Sequence, residues 1–330
     1  MTPTSSHLTR QRLETLLHGM RGRRVAIVGD AMLDVYLRGE VDRISPEAPV
    51  PVVRVRDRRY ALGGAANVAQ NVVASGAEGT LVAVVGSDPS AERLRAMLRD
   101  IGSSDQALLP VERPTTTKTR LVARSQQVVR FDEEDDGDLS GADIDRLLAG
   151  LDAVIARSDA LVLEDYNKGV LVPRVIERAI ATARGRRIPV IVDPKFRNFF
   201  HYRGATVFKP NRRELESALG AAVQLEDAGT LPATLDRLGA EHLLLTLGER
   251  GMALVSAGGA VHHISSAARE VYDVVGAGDT VTAYLATALA AGATALESAV
   301  VANFAAGVEV GKLGAATVTP EEILAAYDGQ

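Results

Sequence analysis

Five short apolar runs constrain this chain more than any other feature: RVAIVGD (24–30), LVAVVGSD (81–88), ALVLED (160–165), PVIVDP (189–194) and HLLLTLG (242–248). Each is continuously apolar rather than alternating, the pattern of strands buried on both faces. Longer amphipathic stretches lie between most of them, at 64–76, 90–101, 140–157 and 172–184. Apolar runs alternating with helical patterns predict a mainly parallel sheet flanked by helices. Each run closes on a polar residue or glycine: Asp30, Asp88, Asp165, Asp193 and Gly248. Open α/β sheets bind ligands outside the carboxyl ends of their strands. An Asp at a strand end also serves as a turn or helix cap, so both readings stand for each carboxylate.

Residues 35–60 and 115–131 break the rhythm. They are rich in β-branched residues, carry no helical pattern, and read as extended strands, with Pro46, Pro49 and Pro51 suited to an edge or a strand start. They form either two surface hairpins or a small separate sheet over the mouth of the site. The run at 132–145 carries eight carboxylates and no base, which reads as a solvated loop. His262 and His263 are adjacent on an expected strand, point to opposite faces and read as structural.

The stretch DVVGAGDT (273–280) places two glycines and a carboxylate where a helix should begin. A helix starting near Ala277 would present the unpaired N–H groups of Gly276, Ala277 and Gly278 to an anion. Asp279 would stand beside that anion, poorly placed to bind it but well placed to take a proton from an attacking hydroxyl. The plainer reading is a capping Asp behind two turn glycines. A second pair, Gly63 and Gly64, precedes another helix with Asn67 in its first turn. There is no GxxxxGK[ST] loop, which disfavours a P-loop nucleotidase.

The chain has 330 residues, a net charge of −5 and no cysteine. An acidic balance argues against nucleic acid as the main partner. The lack of cysteine excludes disulfides, thiolate nucleophiles and cysteine metal clusters. No run resembles a signal peptide or a bilayer span, so no membrane role and a cytoplasmic location are expected.

Taken in order, GDAMLD (29–34), GGAANVA (63–69), DPK (193–195), KPNRRE (209–214), TLGERG (246–251) and DVVGAGDT resemble the ribokinase-like (PfkB) carbohydrate kinases over nearly the whole chain. Within that family, RISPEAPVPVV (43–53), EDYNKG (164–169) and EVYDVVGAGDT most resemble the branch acting on D-glycero-D-manno-heptose 7-phosphate in lipopolysaccharide inner-core synthesis. No HxGH-like nucleotidyltransferase motif is present, so the chain resembles the free-standing kinase.

The resemblance implies one three-layer α/β/α domain with 35–60 and 115–131 as a β-sheet lid that pairs into a homodimer clasp. It implies Asp279 as general base, Gly276, Ala277 and Gly278 as anion hole, and Asp34, Gly63, Gly64 and Asn67 as sugar-binding residues. Nucleotide contacts would come from Lys195, Asn211, Arg212, Arg213, Glu214, Thr246, Gly248 and Asn303. The implied cofactors are ATP and Mg²⁺, with Glu214 reaching the metal through water and a monovalent cation near the anion hole. Glu164 departs from the small residue expected before the DY pair. A sugar phosphate needs cations at the end away from the reacting hydroxyl. The candidates are Lys168 and, on the lid strand, Arg120 and Arg124. Alternatives are a kinase of ribose, fructose or a hexose phosphate, and a non-catalytic sugar-binding regulator.

Overall fold

The computed structural model describes residues 8–123, 126–223 and 230–329. In chain order the strands are β1 (Arg24–Gly29), β2 (Ala31–Ile44), β3 (Pro51–Gly64), β4 (Glu78–Val85), β5 (Leu108–Pro110), β6 (Thr117–Ala123), β7 (Gln126–Glu133), β8 (Ala160–Glu164), β9 (Val190–Asp193), β10 (Val207–Phe208), β11 (His242–Thr246), β12 (Met252–Ser256) and β13 (Val261–Ile264). The helices are α1 (Arg10–Met20), α2 (Ala65–Ala74), α3 (Pro89–Asp100), α4 (Gly141–Ile155), α5 (Pro173–Arg186), α6 (Arg212–Leu219), α7 (Thr230–Leu238), α8 (Ala277–Ala290), α9 (Ala295–Glu309) and α10 (Pro320–Asp328).

All five apolar runs enter one nine-stranded sheet of order β13-β12-β11-β10-β9-β8-β1-β4-β5. Pairing is parallel from β11 to β5 and antiparallel from β11 to β13. Both faces are covered, which is why the runs do not alternate. On β1, Val25 and Ile27 pack into a core shared with α1, α2, α3, α8, α9 and α10. Ala26 and Val28 pack into a second core with α4, α5 and α7. Each fully buried Val, Leu or Ile contributes about 1.5–3 kcal/mol, so a two-faced central strand anchors both helical layers. The result is the expected three-layer arrangement.

The two irregular segments resolve into both alternatives at once. β2 with β3 and β6 with β7 are antiparallel hairpins, and parallel pairing of β2 with β6 joins them into a separate sheet of order β3-β2-β6-β7. Pro51 opens β3 at the edge of that sheet, where a missing N–H costs no ladder bond. Alternation sorts the sheet into two unlike faces. Asp34, Tyr36, Lys118 and Arg120 share one, and Leu33, Val35, Leu37, Thr117, Thr119 and Leu121 share the other. The second face and the start of α3 enclose a cavity of about 360 Å³ lined by Tyr60, Arg93 and Phe131, among others. Farther out the same face stays exposed at Val129 and Phe131.

The acidic run divides between the end of β7, a connecting loop and the first turns of α4, whose start Ser140 caps. His262 and His263 are consecutive in β13. Arg124 falls outside the described residues.

Candidate functional site

The strand-end carboxylates separate by what they touch. Asp30 is buried and accepts the backbone N–H groups of Tyr166, Lys168 and Val170, which shapes the turn after β8. Asp88 caps α3 through Ala91 N and also holds Thr115 N. Asp165 accepts from Asn167 N and the Tyr202 hydroxyl. These three shape loops and helix ends. Asp193 differs: its carboxylate meets the buried ammonium of Lys209 at 2.8 Å.

α8 begins at Ala277 behind Gly276, whose φ of 96° lies in the left-handed region that glycine tolerates. No side chain caps this helix start, so the N–H groups of its first turn have no helical acceptor. Asp279 is not the cap. Its Oδ2 accepts from the Asn67 amide at 2.7 Å and its Oδ1 from the Tyr166 hydroxyl at 2.8 Å. Both glycines of the other pair are fixed by close approach. A Cβ on Gly63 would lie 2.7 Å from Asp34 Oδ2, and one on Gly64 would lie 2.5 Å from the Asp30 carbonyl oxygen. Asp34 itself holds Arg120 at 2.5 Å, and that guanidinium lies 5.3 Å from the Tyr36 ring centre.

Burial, strongest among the causes, pushes Asp279 up to about 6, and nearby Asp193 adds to the rise. The hydrogen bonds from Asn67 and Tyr166 oppose it by favouring the charged form. A rise from 3.8 to about 6 corresponds to about 3 kcal/mol favouring the proton. Such a carboxylate is ionised at neutral pH and holds a proton more readily than an exposed one, as a general base needs.

Three carboxylates converge at this point. Glu164, Asp193 and Asp279 each offer an oxygen within 4.8 Å of the others. Glu164 pairs in register with Asp193 across β8 and β9, is fully buried, and neither of its oxygens has a hydrogen-bond partner. Burial first, then Asp193 and Asp279, drive it well above the usual carboxylate range. An orphaned carboxyl facing two others fits a divalent cation. Lys209 and Lys195 supply the local counter-charge. Burial alone would lower both lysines, but Asp193 and further carboxylates outweigh it and raise them.

The expected nucleotide residues gather on the neighbouring strand ends. Asn211 caps α6 in a reciprocal box with Glu214, and its backbone bridges to Thr246 at the end of β11. Gly248 follows in a left-handed conformation. Lys195 pairs with Glu214 and lies 5.0 Å from the Tyr166 ring centre, which joins this cluster to the Asp279 cluster. Asn303 is buried in α9 and donates to the Ser265 carbonyl. Arg212 turns back along its own helix to Glu216 and the Val223 carbonyl, and Arg213 is exposed. Lys168 pairs with Glu134 at 2.7 Å.

Sequence reasoning missed Tyr166, Asp193, Lys209 and Glu309 as members of the site. Tyr166 and Lys209 stood inside the quoted EDYNKG and KPNRRE stretches, which was the available signal. Glu309 gave none: in sequence it is one carboxylate in an Ala-rich helix. In the fold it is fully buried beside Gly276 with both oxygens unpartnered. Burial, then repulsion from Asp273 and Asp279, push it up to about 8.

The chain matches the family described as pfkB family carbohydrate kinase over residues 23–322. It is 47% identical over 306 residues to the bifunctional protein HldE of Rhodospirillum rubrum, covering 92% of this chain and 62% of that protein. It is 45% identical over 324 residues to the bifunctional protein HldE of Pelobacter propionicus, covering 96% of this chain and 66% of that one. The chain thus spans a little under two thirds of these relatives. Among solved structures, the Arabidopsis thaliana ribokinase complexed with ribose and ATP superposes with a TM-score of 0.73 at 20% identity, covering 93% of this chain and 99% of that one. Escherichia coli phosphofructokinase-2 in complex with potassium gives 0.76 at 18%, with the same coverages. At these identities the likeness is one of fold.

Two outcomes test the site. Asp279→Asn keeps the size and shape of the side chain but cannot accept a proton, so kcat should fall about 10²–10⁴-fold with little change in substrate KM. A variant within a few-fold of wild type would leave Asp279 a structural residue. The kcat/KM profile should also lose activity below pH about 6 as Asp279 protonates. Tyr166→Phe removes a donor that favours the carboxylate, so its acid limb should move to higher pH. An unmoved or lower limb would contradict the assigned hydrogen bond.

Proposed function

This chain belongs to the pfkB carbohydrate kinase family, and on that premise we propose that it transfers the γ-phosphate of ATP to the anomeric hydroxyl of D-glycero-D-manno-heptose 7-phosphate. The observation that carries the reading is Asp279, buried and held between Asn67 and Tyr166 at the uncapped start of α8. In this mechanism Asn67, Asp34 and the close-packed Gly63 seat the sugar. Asp279 receives the proton of the attacking hydroxyl while the first-turn N–H groups of α8 hold the transferring phosphoryl oxygens. Positioning and charge neutralisation supply most of the rate in such transfers. Lys195 and Lys209 stand on the same side to balance the phosphates.

Mg²⁺, when bound with the nucleotide, neutralises phosphate charge. Asp193 and the orphaned Glu164 would hold it, with Glu214 reaching it through water. A monovalent cation beside the anion hole would find the buried carboxylate of Glu309 and nearby Asp273. Nucleotide contacts fall to Asn211, Thr246, Gly248 and Asn303, whereas Arg212 is occupied by its own helix. The substrate assignment draws on the 45–47% identity to proteins named HldE, together with the EDYNKG and RISPEAPVPVV stretches. The small sheet acts as a lid, and its exposed apolar face suits a second copy of the chain. No helix among the described residues is long and apolar enough to cross a membrane, in keeping with work on a dissolved sugar phosphate in the cytoplasm. An intact base and anion site speak against a non-catalytic regulator.

ATP consumption across a sugar panel should be fastest by kcat/KM with heptose 7-phosphate. Faster turnover of ribose, fructose or a hexose phosphate would replace the substrate, and no turnover of any sugar would remove the enzyme reading. Phe131→Asp should convert a dimer to a monomer by light scattering, because a charge is placed on the exposed apolar face. An unchanged mass would reject the lid as the clasp.

A further inference from the structure

A substrate that carries a phosphate needs a cation which the protein itself has not already neutralised. Two of the cations singled out from the sequence fail that condition in the fold. Arg120 is paired with Asp34, and Lys168 with Glu134. Another cation on the same wall meets it. Lys118 lies on β6, opposite Asp34 of β2 and on the same face as Arg120. Its neighbours Thr117 and Thr119 point the other way, into the cavity behind the sheet. Lys118 is half-buried and forms no ion pair among the described residues. Burial pulls its ammonium below the ordinary lysine value, Glu134 and Asp132 oppose that, and Lys168 and Arg130 add to it.

Its surroundings lead back to the reacting centre. Lys168 follows Tyr166 by two residues, and the Tyr166 hydroxyl bonds Asp279. The Lys168 carbonyl is held by Arg113 at 2.9 Å, which ties this turn to the segment that leads into β6. Glu134 gives one oxygen to Lys168 and leaves the other buried without a hydrogen-bond partner. Lys118, Lys168 and Glu134 together therefore hold one positive charge in excess. A half-buried ammonium with no partner costs free energy unless an anion completes it.

We propose that Lys118 is the anchor for the phosphomonoester of the sugar substrate. The proposal rests on the reading of the chain as a sugar-phosphate kinase and names the residue that makes it selective. Lys118 sets specificity and takes no part in proton or phosphoryl transfer.

The test compares heptose 7-phosphate with unphosphorylated heptose in wild type, Lys118→Ala, Lys118→Gln, Lys118→Arg and, on the opposite face of the sheet, Arg58→Ala. Losing one charge-assisted contact should lower the ratio of the two kcat/KM values roughly 10- to 100-fold in the Ala and Gln variants. The Arg variant should recover part of the ratio, and Arg58→Ala should keep the wild-type value. The KM for ATP should stay within about twofold throughout, since uniform loss would signal general damage. Calorimetric titration of heptose 7-phosphate without nucleotide reads the same contact if turnover is lost, and should show weakened binding in Lys118→Gln. A wild type without preference for the phosphorylated sugar would defeat the substrate reading and the anchor together. A wild-type preference that survives intact in folded Lys118→Ala and Lys118→Gln would overturn the anchor alone.

Discussion

The carboxylate of Asp279 is fixed by two hydrogen bonds whose donors come from distant parts of the chain. Asn67 opens α2 just after the small sheet, and Tyr166 lies in the turn after β8. Each bond to the charged group is worth about 1.5–3 kcal/mol, and both are needed because the group is buried and burial favours the proton. The rest of the fold keeps these donors in range. Asp30 gathers the backbone of the 166–170 turn, and Gly63 and Gly64 bring β3 against Asp34 and the Asp30 carbonyl. The small sheet is thus tied to the strand ends beside Asp279 by close approaches at Gly63 and Gly64 that a Cβ would block.

Charge is handled at this edge by exchange, since two lysines face more carboxylates than they can neutralise. Lys209 balances Asp193 and Lys195 balances Glu214, while Glu164 and Glu309 stay buried without hydrogen-bond partners. Isolated buried carboxylates resolve their cost by taking a proton or a cation. On the proposed kinase reading, a site that receives phosphates with their cations could not be neutral beforehand without losing affinity for either. The orphaned carboxyls of Glu164 and Glu309 and the uncapped start of α8 give the two signs of charge separate places.

Much of this was legible in the sequence, for physical reasons that differ by element. The parallel sheet could be read because burial on both faces enforces unbroken apolar runs, as Val25 to Val28 show by alternating between two cores. The start of α8 could be read because Gly276 needs a positive φ that few other residues tolerate. What stayed hidden depends on long-range approach. Nothing local distinguishes Asp193, which enters the site, from Asp30 and Asp88, which hold turns. Tyr166 and Lys118 likewise acquire their meaning only from the elements packed against them. The parallel pairing of β2 with β6 turned two hairpins into one sheet, and a pairing across some 80 residues of sequence leaves no local mark.

That pairing has a further consequence for how one small sheet can serve two surfaces. With side chains alternating over the paired segments 33–37 and 117–121, Asp34, Lys118 and Arg120 fall on one side and Leu33, Val35, Leu37 and Leu121 on the other. Tyr36 joins the charged side, and Leu37 and Leu121 continue outward to the exposed Val129 and Phe131. A slip of one residue between β2 and β6 would set Thr117 or Thr119 opposite Asp34, and would turn apolar side chains onto the charged face while leaving charge on the apolar face. Burial of Leu33 and Thr117 at the base of the sheet resists such a slip. The polarity of the Asp34 face and the apolar character of its reverse therefore follow from one register, fixed where the small sheet meets the core.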